Sequence, residues 1–252
     1  MAAASLCSAA RLPTRQHRGL LAVAASTGPR QAAKPLLGLD RANKKLRVLA
    51  FGDSITEGWI NSAYTKVPWS PRVQQKLQQK LGGDWNIEVV NGGVGSAGVL
   101  DRLNDAFRQQ LSSARSAGRP YHFITFEAGI NDLLLQNRNA PEIFERMKEL
   151  WALANAEGST VAVIPTLPTN VAGEREQQRL ALTAKVREYV KQQRAAGNKG
   201  LFIIDVEQTF AYLSLSPERR AQLFDDGVHL TVYGYELLGD LVTQGLANAM
   251  DL

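Results

Sequence analysis

From residue 45 to the end of the chain, short apolar runs alternate with longer stretches of helical period. Residues 46–51 form a largely apolar run that ends in Gly52-Asp53, and they read as a buried strand. Residues 71–81 repeat Val73, Leu77 and Leu81 at helical spacing. The order then continues as strand 87–91, helix 99–114 (Leu100, Leu103, Phe107, Leu111), strand 123–127 and helix 141–156, with Pro141 at its first turn. Strand 160–164 and a polar helix over 174–194 come next, the helix with Leu182, Val186, Tyr189 and Val190 on one face. Strand 201–206 and a closing helix 232–249, with Thr231 as N-cap, complete the pattern.

Continuous apolar strands, as opposed to strands that alternate apolar and polar, are covered on both faces. Five of them separated by helices predict an α/β fold with a parallel sheet wrapped by helices. Ligands in such sheets bind at the carboxyl ends of the strands, so the loops that follow the strands are where chemistry is expected.

Composition changes this picture mainly at the N-terminus. Residues 1–44 hold seven basic side chains against Asp40 alone, leaving 22 basic and 23 acidic residues in 45–252. The net charge of +5 therefore belongs to the leader, and the folded part has no net basic excess to neutralise nucleic-acid phosphates. An Ala-, Arg- and Ser-rich leader broken by Pro13, Pro29 and Pro35 has the make-up of an organelle transit peptide, and the run Val-Ala-Ala-Ser at 23–26 favours a plastid over a mitochondrion. The apolar stretch 19–25 offers a secretory signal as the alternative. Residues 45–252 are expected to form one domain. No apolar run approaches the length of a membrane span. Cys7 is the only cysteine, which excludes disulfides, thiolate metal sites and thiol nucleophiles from the folded part. His17, His122 and His229 are too few for a His-rich metal site, and no cofactor is expected.

Four polar, glycine-rich loops follow the strands. They are 52–58 with Ser54, 91–98 with Gly95 and Ser96, 128–132 with Asn131, and 225–231 with Asp226 and His229. Such a set suits acyl transfer. A serine hydroxyl needs a base to take its proton, and an imidazole, which titrates near about pH 6.5, is matched to that task and predicts activity that rises across the neutral range. The imidazole needs a carboxylate to fix its tautomer, and the tetrahedral intermediate needs fixed N–H donors for its oxyanion. The backbone amides of Ser54 and of the 95–96 turn, with the Asn131 carboxamide, are the candidate donors.

In order along the chain, Gly52-Asp53-Ser54, Gly129-Ile130-Asn131-Asp132 and Asp226-Gly227-Val228-His229 resemble the GDS, GxND and DxxH blocks of the SGNH hydrolases, also called GDSL esterases/lipases. The resemblance covers about residues 46–246. It implies a three-layer α/β/α sandwich with a five-stranded parallel sheet, flavodoxin-like, and hydrolysis of carboxylic esters without a metal or organic cofactor. It also implies that Ser54 is the nucleophile, His229 the base, Asp226 its orienter and Asn131 an oxyanion donor. Gly129 and Asp53 support these loops. The sequence departs from the family at the second block, where the glycine position, counted from Asn91, falls on Ser96 with Gly95 before it. A backbone N–H is the donor there, so serine does not forbid the role, and either Gly95 or Ser96 can supply it.

The same residues allow other readings. Ser54 alone would be a helix cap, Asp132 caps a helix, Asp53 ties its loop to backbone amides, and Asp225 rivals Asp226 as the partner of His229. Residues 93–98 spell GxGxxG after a strand, the dinucleotide fingerprint, but after the second strand and without the acidic residue expected about 20 positions on. Trp59, Tyr64 and Trp69 line a substrate wall or serve packing. With no long apolar lid visible, a small-molecule ester with a short acyl chain is the expected substrate. An acyltransferase using an alcohol or sugar acceptor shares the same groups, and a non-catalytic binding module ranks last.

Overall fold

The computed structural model describes residues 39–252. Cys7, His17 and nearly all of the leader lie outside that range, so the transit-peptide and secretory readings do too. Among the described residues the elements run β1 (Lys45–Gly52), α1 (Ser54–Glu57), β2 (Trp59–Ile60), β3 (Thr65–Lys66), α2 (Ser70–Leu81), β4 (Asn86–Gly93), α3 (Arg102–Ser116) and β5 (Phe123–Glu127). They continue as α4 (Ile130–Leu134), α5 (Ala140–Ala156), β6 (Thr160–Ile164), α6 (Glu174–Ala195), β7 (Leu201–Ile203), α7 (Pro217–Leu223) and α8 (Val232–Ala249).

Five strands form one parallel sheet in the order β4-β1-β5-β6-β7. Alternate side chains of β1 enter opposite cores, as the two-residue period of a strand requires. Leu49 and Phe51 join Phe107, Phe126, Trp151 and Leu182, beneath α3, α5 and α6. Val48 and Ala50 join Val73, Leu77, Leu238 and Val242, beneath α2 and α8. Two cores on either side of one sheet make the three-layer α/β/α sandwich. On the first face Phe51 meets Phe107 edge-on at 4.7 Å between ring centroids, and Phe126 meets Trp151 at 6.0 Å. Such aromatic pairs contribute about 0.5–1.5 kcal/mol each beyond their buried area.

β1 lies inside the sheet with β4 on one side and β5 on the other. The chain leaves β1 for one neighbour and later returns to the other, so the loops after these three strands open at one crevice, the switch point where α/β sheets bind ligands.

Two elements differ from their sequence-based bounds for local reasons. The helix expected from residue 99 begins at Arg102, because the amides of Val99 and Leu100 donate instead to the Asp132 carboxylate (2.9 and 3.1 Å). The strand expected over 201–206 ends at Ile203. Asp205 turns the chain out of the sheet there, its Oδ1 accepting from the amide of Glu207 and its Oδ2 from Arg187. Among the described residues no helix is long and apolar enough to cross a membrane.

Candidate active site

Ser54 is the first residue of α1, directly after β1. Asp53 caps that short helix by accepting from the amide of Ile55 (3.0 Å). Ser54 Oγ lies 3.0 Å from His229 Nε2, across 175 positions of sequence. On the other side of the ring, His229 Nδ1 lies 2.7 Å from Asp226 Oδ2. The second oxygen of Asp226 accepts from the amides of Val228 and His229 (2.9 and 2.8 Å), so this carboxylate orients the ring and shapes the loop at once. Burial alone would raise the Asp226 carboxyl, but the bonds from the His229 ring and the two amides outweigh it and hold the group below the usual carboxylate range. It stays ionised beside the His229 ring.

Asp225, the rival partner, turns away. It accepts from the amide of Ser62 (2.9 Å) and from its hydroxyl, and so ties the β2–β3 loop to the histidine loop. The histidine loop is closed by the Asp225 amide bonded to the His229 carbonyl (2.9 Å). Gly227 sits at φ +89° against Asn170, whose side chain would lie 2.5 Å from any Cβ there, and Asn170 donates its amide to the Gly227 carbonyl (2.8 Å). Sequence reading missed Asn170, because nothing in its neighbourhood marks it until the two loops meet.

The second loop is bound to the first by the Val94 amide, which donates to the Gly52 carbonyl (2.9 Å). Gly93 packs so closely on α1 that a Cβ would lie 2.2 Å from the Glu57 nitrogen. The amides of Ala97, Gly98, Val99 and Leu100 all have acceptors within the protein. Those of Gly95, Ser96 and Ser54 have none among the described residues. Ser96 adopts the left-handed conformation, φ +55°, which accounts for a preference for glycine at that position. Asn131, on α4, donates one carboxamide N–H to the Ala97 carbonyl (3.0 Å). That bond fixes which end of the amide carries nitrogen and leaves the second N–H without a protein acceptor. Gly129 caps α4 at φ +105° where Thr166, Met147 and Leu182 leave no room for a side chain.

The structure thus brings together Ser54, Asp226, His229, Asn131 and the 95–96 turn, with Asp53 and Gly129 holding their loops. Asp132 does not cap a helix as expected: it lies inside α4, and its carboxylate accepts from the Val99 and Leu100 amides of the second loop. The glycines of GxGxxG serve loop contacts, and the helix begins four residues after Gly98, so the fingerprint lacks the helix N-terminus that would bind a pyrophosphate. Of the three aromatics, Trp69 is a core residue and Tyr64 stands 85% exposed. Trp59 alone lies beside the second loop, its indole N–H on Glu57 (2.7 Å) and close to Gly95. His122 accepts from the Arg47 amide through Nδ1 (2.9 Å) and has a structural role, with burial pushing its imidazole down. Among the described residues no group of His, Cys, Asp or Glu is arranged to hold a metal.

The profile of the GDSL-like lipase/acylhydrolase family matches residues 50–237. The chain belongs to this family. As a GDSL-family member it is a carboxylic ester hydrolase, and a small-molecule ester is its class of substrate. No curated protein matches its sequence. Among solved structures it is similar to a GDSL-like lipase from Bacteroides thetaiotaomicron (20% identity, 84% of this chain and 93% of that one, TM-score 0.59). It is similar to a carbohydrate esterase family 3 protein from Talaromyces cellulolyticus (19%, 82% and 98%, TM-score 0.60). A third similar structure is a mutant of Axe2, an acetyl-xylooligosaccharide esterase from Geobacillus Stearmophilus (19%, 80% and 94%, TM-score 0.61). At these identities the likeness speaks to the fold, which the GDSL hydrolase shares with all three.

Proposed function

We propose that this GDSL-family hydrolase cleaves short-chain carboxylic esters through an acyl-enzyme on Ser54. The observation that carries the reading is the unbroken line from Ser54 Oγ through the His229 ring to Asp226, with contacts of 3.0 and 2.7 Å. As Ser54 Oγ attacks the acyl carbon, His229 Nε2 takes its proton and Asp226 stabilises the imidazolium. The carbonyl oxygen becomes an oxyanion within reach of the unpaired amides of Ser54 and the 95–96 turn and the second N–H of Asn131. A donor of this kind typically contributes about 2.7–4 kcal/mol to lowering the barrier. His229 then passes its proton to the departing alcohol oxygen. Water enters, gives a proton to the same nitrogen, attacks the acyl carbon, and the acid leaves as Ser54 regains its hydrogen.

Support for a short acyl chain comes from the fold relatives whose names specify acetyl or carbohydrate esters. The plastid address of the leader stands beside this as a separate proposal. A series of p-nitrophenyl esters from acetate to palmitate tests the reading. Wild type should favour the short end, and Ser54→Ala should lose at least ~10³-fold in kcat/KM and its labelling by a fluorophosphonate. An Ser54→Ala protein as active as wild type defeats the proposal, and a preference for palmitate defeats the chain-length part.

A further inference from the structure

The last residue of β5, Glu127, pairs in register with Gly52, immediately before the turn that carries Ser54. The approach is close. A Cβ on Gly52 would lie 2.2 Å from the Glu127 carbonyl oxygen and 2.3 Å from Thr56 Oγ1. Glu127 is 1% exposed and Asp53 0% exposed, and their carboxyls face each other behind Ser54.

With both acids ionised, four buried oxygens are left without a partner: Asp53 Oδ2, Thr56 Oγ1 and both carboxyl oxygens of Glu127. Among the described residues no lysine or arginine is a main cause of the shift of either acid; the charged or titratable groups facing them are Asp132 from α4, His229 and Tyr235 on α8. Two adjacent carboxylates with no cation cannot both stay charged in such a place. One proton shared by the two acids pairs them: a protonated Glu127 donates to Asp53 Oδ2, with the Thr56 hydroxyl beside the same carboxyl. Asp53 is the better anion of the two, because its Oδ1 already accepts the Ile55 amide (3.0 Å). Glu127 accepts no backbone amide.

We infer that Glu127 is a positioning residue whose acid O–H bonds Asp53 and braces the turn that presents Ser54 to His229. This rests on the reading of Ser54 as nucleophile. In agreement with the geometry, burial first and the neighbouring Asp53 second push the Glu127 carboxyl well above the ordinary range. Burial also lifts Asp53, against the pull of the Ile55 amide and of His229.

The test compares wild type, Glu127→Gln, Glu127→Met and Ser54→Ala. Glutamine keeps a donor for Asp53 Oδ2, and methionine keeps the length without one. Glu127→Gln should retain most of kcat, whereas Glu127→Met should lose on the order of 10²-fold in kcat with little change in KM, as a displaced nucleophile does. The second measurement is unfolding in urea across pH. A carboxyl raised in the fold binds a proton that the unfolded chain releases, so wild type loses stability relative to Glu127→Gln as pH rises. The ratio of their unfolding constants should shift by up to about tenfold per pH unit between roughly pH 5 and 7, the limit for one proton. Parallel stability curves would show an ionised Glu127 and overturn the inference, as would wild-type kcat in Glu127→Met or equal loss in both variants. If Glu127→Met does not fold, the pH comparison decides. Activity surviving in Ser54→Ala strikes the reading of Ser54 as nucleophile, whereas the stability comparison still tests the bond between Glu127 and Asp53.

Discussion

Replacing Asp226 by asparagine changes one atom of its side chain and should invert the proton on the His229 imidazole. In the wild type one carboxylate oxygen accepts from the Val228 and His229 amides, and the other faces His229 Nδ1 at 2.7 Å. Asparagine has one oxygen. The two amides hold it, since turning the side chain round would set its NH2 group against two N–H donors. The amide nitrogen is therefore left facing Nδ1, where it donates. His229 must accept at Nδ1 and carry its hydrogen on Nε2, the atom 3.0 Å from Ser54 Oγ, where it can no longer take the serine proton. The fold is untouched, because both turn bonds survive. A wrong tautomer of this kind costs on the order of 10⁴-fold in kcat, or about 5.5 kcal/mol of barrier. The assay is steady-state hydrolysis of p-nitrophenyl acetate by Asp226→Asn, with a thermal melt to confirm the fold. A variant within tenfold of wild type would refute the assignment of Asp226 as orienter, and with it the argument that the turn amides lock the carboxylate's orientation.

Two further outcomes concern stability. Ser96 pays the left-handed penalty of about 1–2 kcal/mol, and glycine would remove it at an unfolded-state cost of about 0.4–1 kcal/mol, so Ser96→Gly should gain roughly 0.5–1 kcal/mol in urea unfolding; a loss of stability would show that the serine side chain compensates for its backbone. Asp240 on α8 bonds Arg72 (2.7 and 2.8 Å) and Lys76 (2.8 Å) on α2, and the Arg72 bonds above all draw its carboxyl down from 3.8 to about 2. A lowered carboxyl adds stability that is complete above the unfolded value and fades as pH falls through the folded one, so wild type should lose stability between about pH 4 and 2 more steeply than Asp240→Asn. Equal slopes would show that the clamp between α2 and α8 contributes nothing.

How far the sequence carried depended on what decides each feature. Strands β5 and β6 agree residue for residue with the apolar runs 123–127 and 160–164, because both faces of a central strand must be apolar. The edge strand β7 is shorter than its apolar run, since an edge needs fewer partners and Asp205 captures a neighbouring amide. Helix α4, the β2–β3 hairpin and α7 have too few residues to show a period. Only α7 carried a readable start signal, Ser216 followed by Pro217, with the serine hydroxyl accepting from Arg219. In the site, the order of Ser54, Asn131, Asp226 and His229 was legible as residue types. The three-residue spacing to His229 already favoured Asp226 over Asp225, and Ser62 holds Asp225 elsewhere. The pairing of Glu127 with Asp53 was not legible. Glu127 reads as the polar end of a strand, and its burial follows only from the close contact of Gly52 with β5.

The histidine loop poses a separate problem, because no strand of the sheet delivers it. Ser54, the 95–96 turn and Asn131 follow β1, β4 and β5, so sheet order alone brings them to one crevice. His229 instead precedes α8, and its placement depends on how that helix is anchored. Thr231 caps α8 by accepting from the Gly234 amide (3.0 Å). Gly234 lets the helix press on the Leu223 carbonyl, where a Cβ would lie at 2.3 Å. Tyr235 reaches across to the Trp59 carbonyl (2.6 Å), and Asp225 holds Ser62 (2.9 Å). Two of these tethers end on residues 59–62, directly after α1, the short helix that begins with Ser54. The loop carrying His229 is therefore referenced to the segment that follows Ser54, not to the distant strands. A displacement of α8 should move both together, and the 3.0 Å separation of Ser54 and His229 is protected by contacts local to the pair.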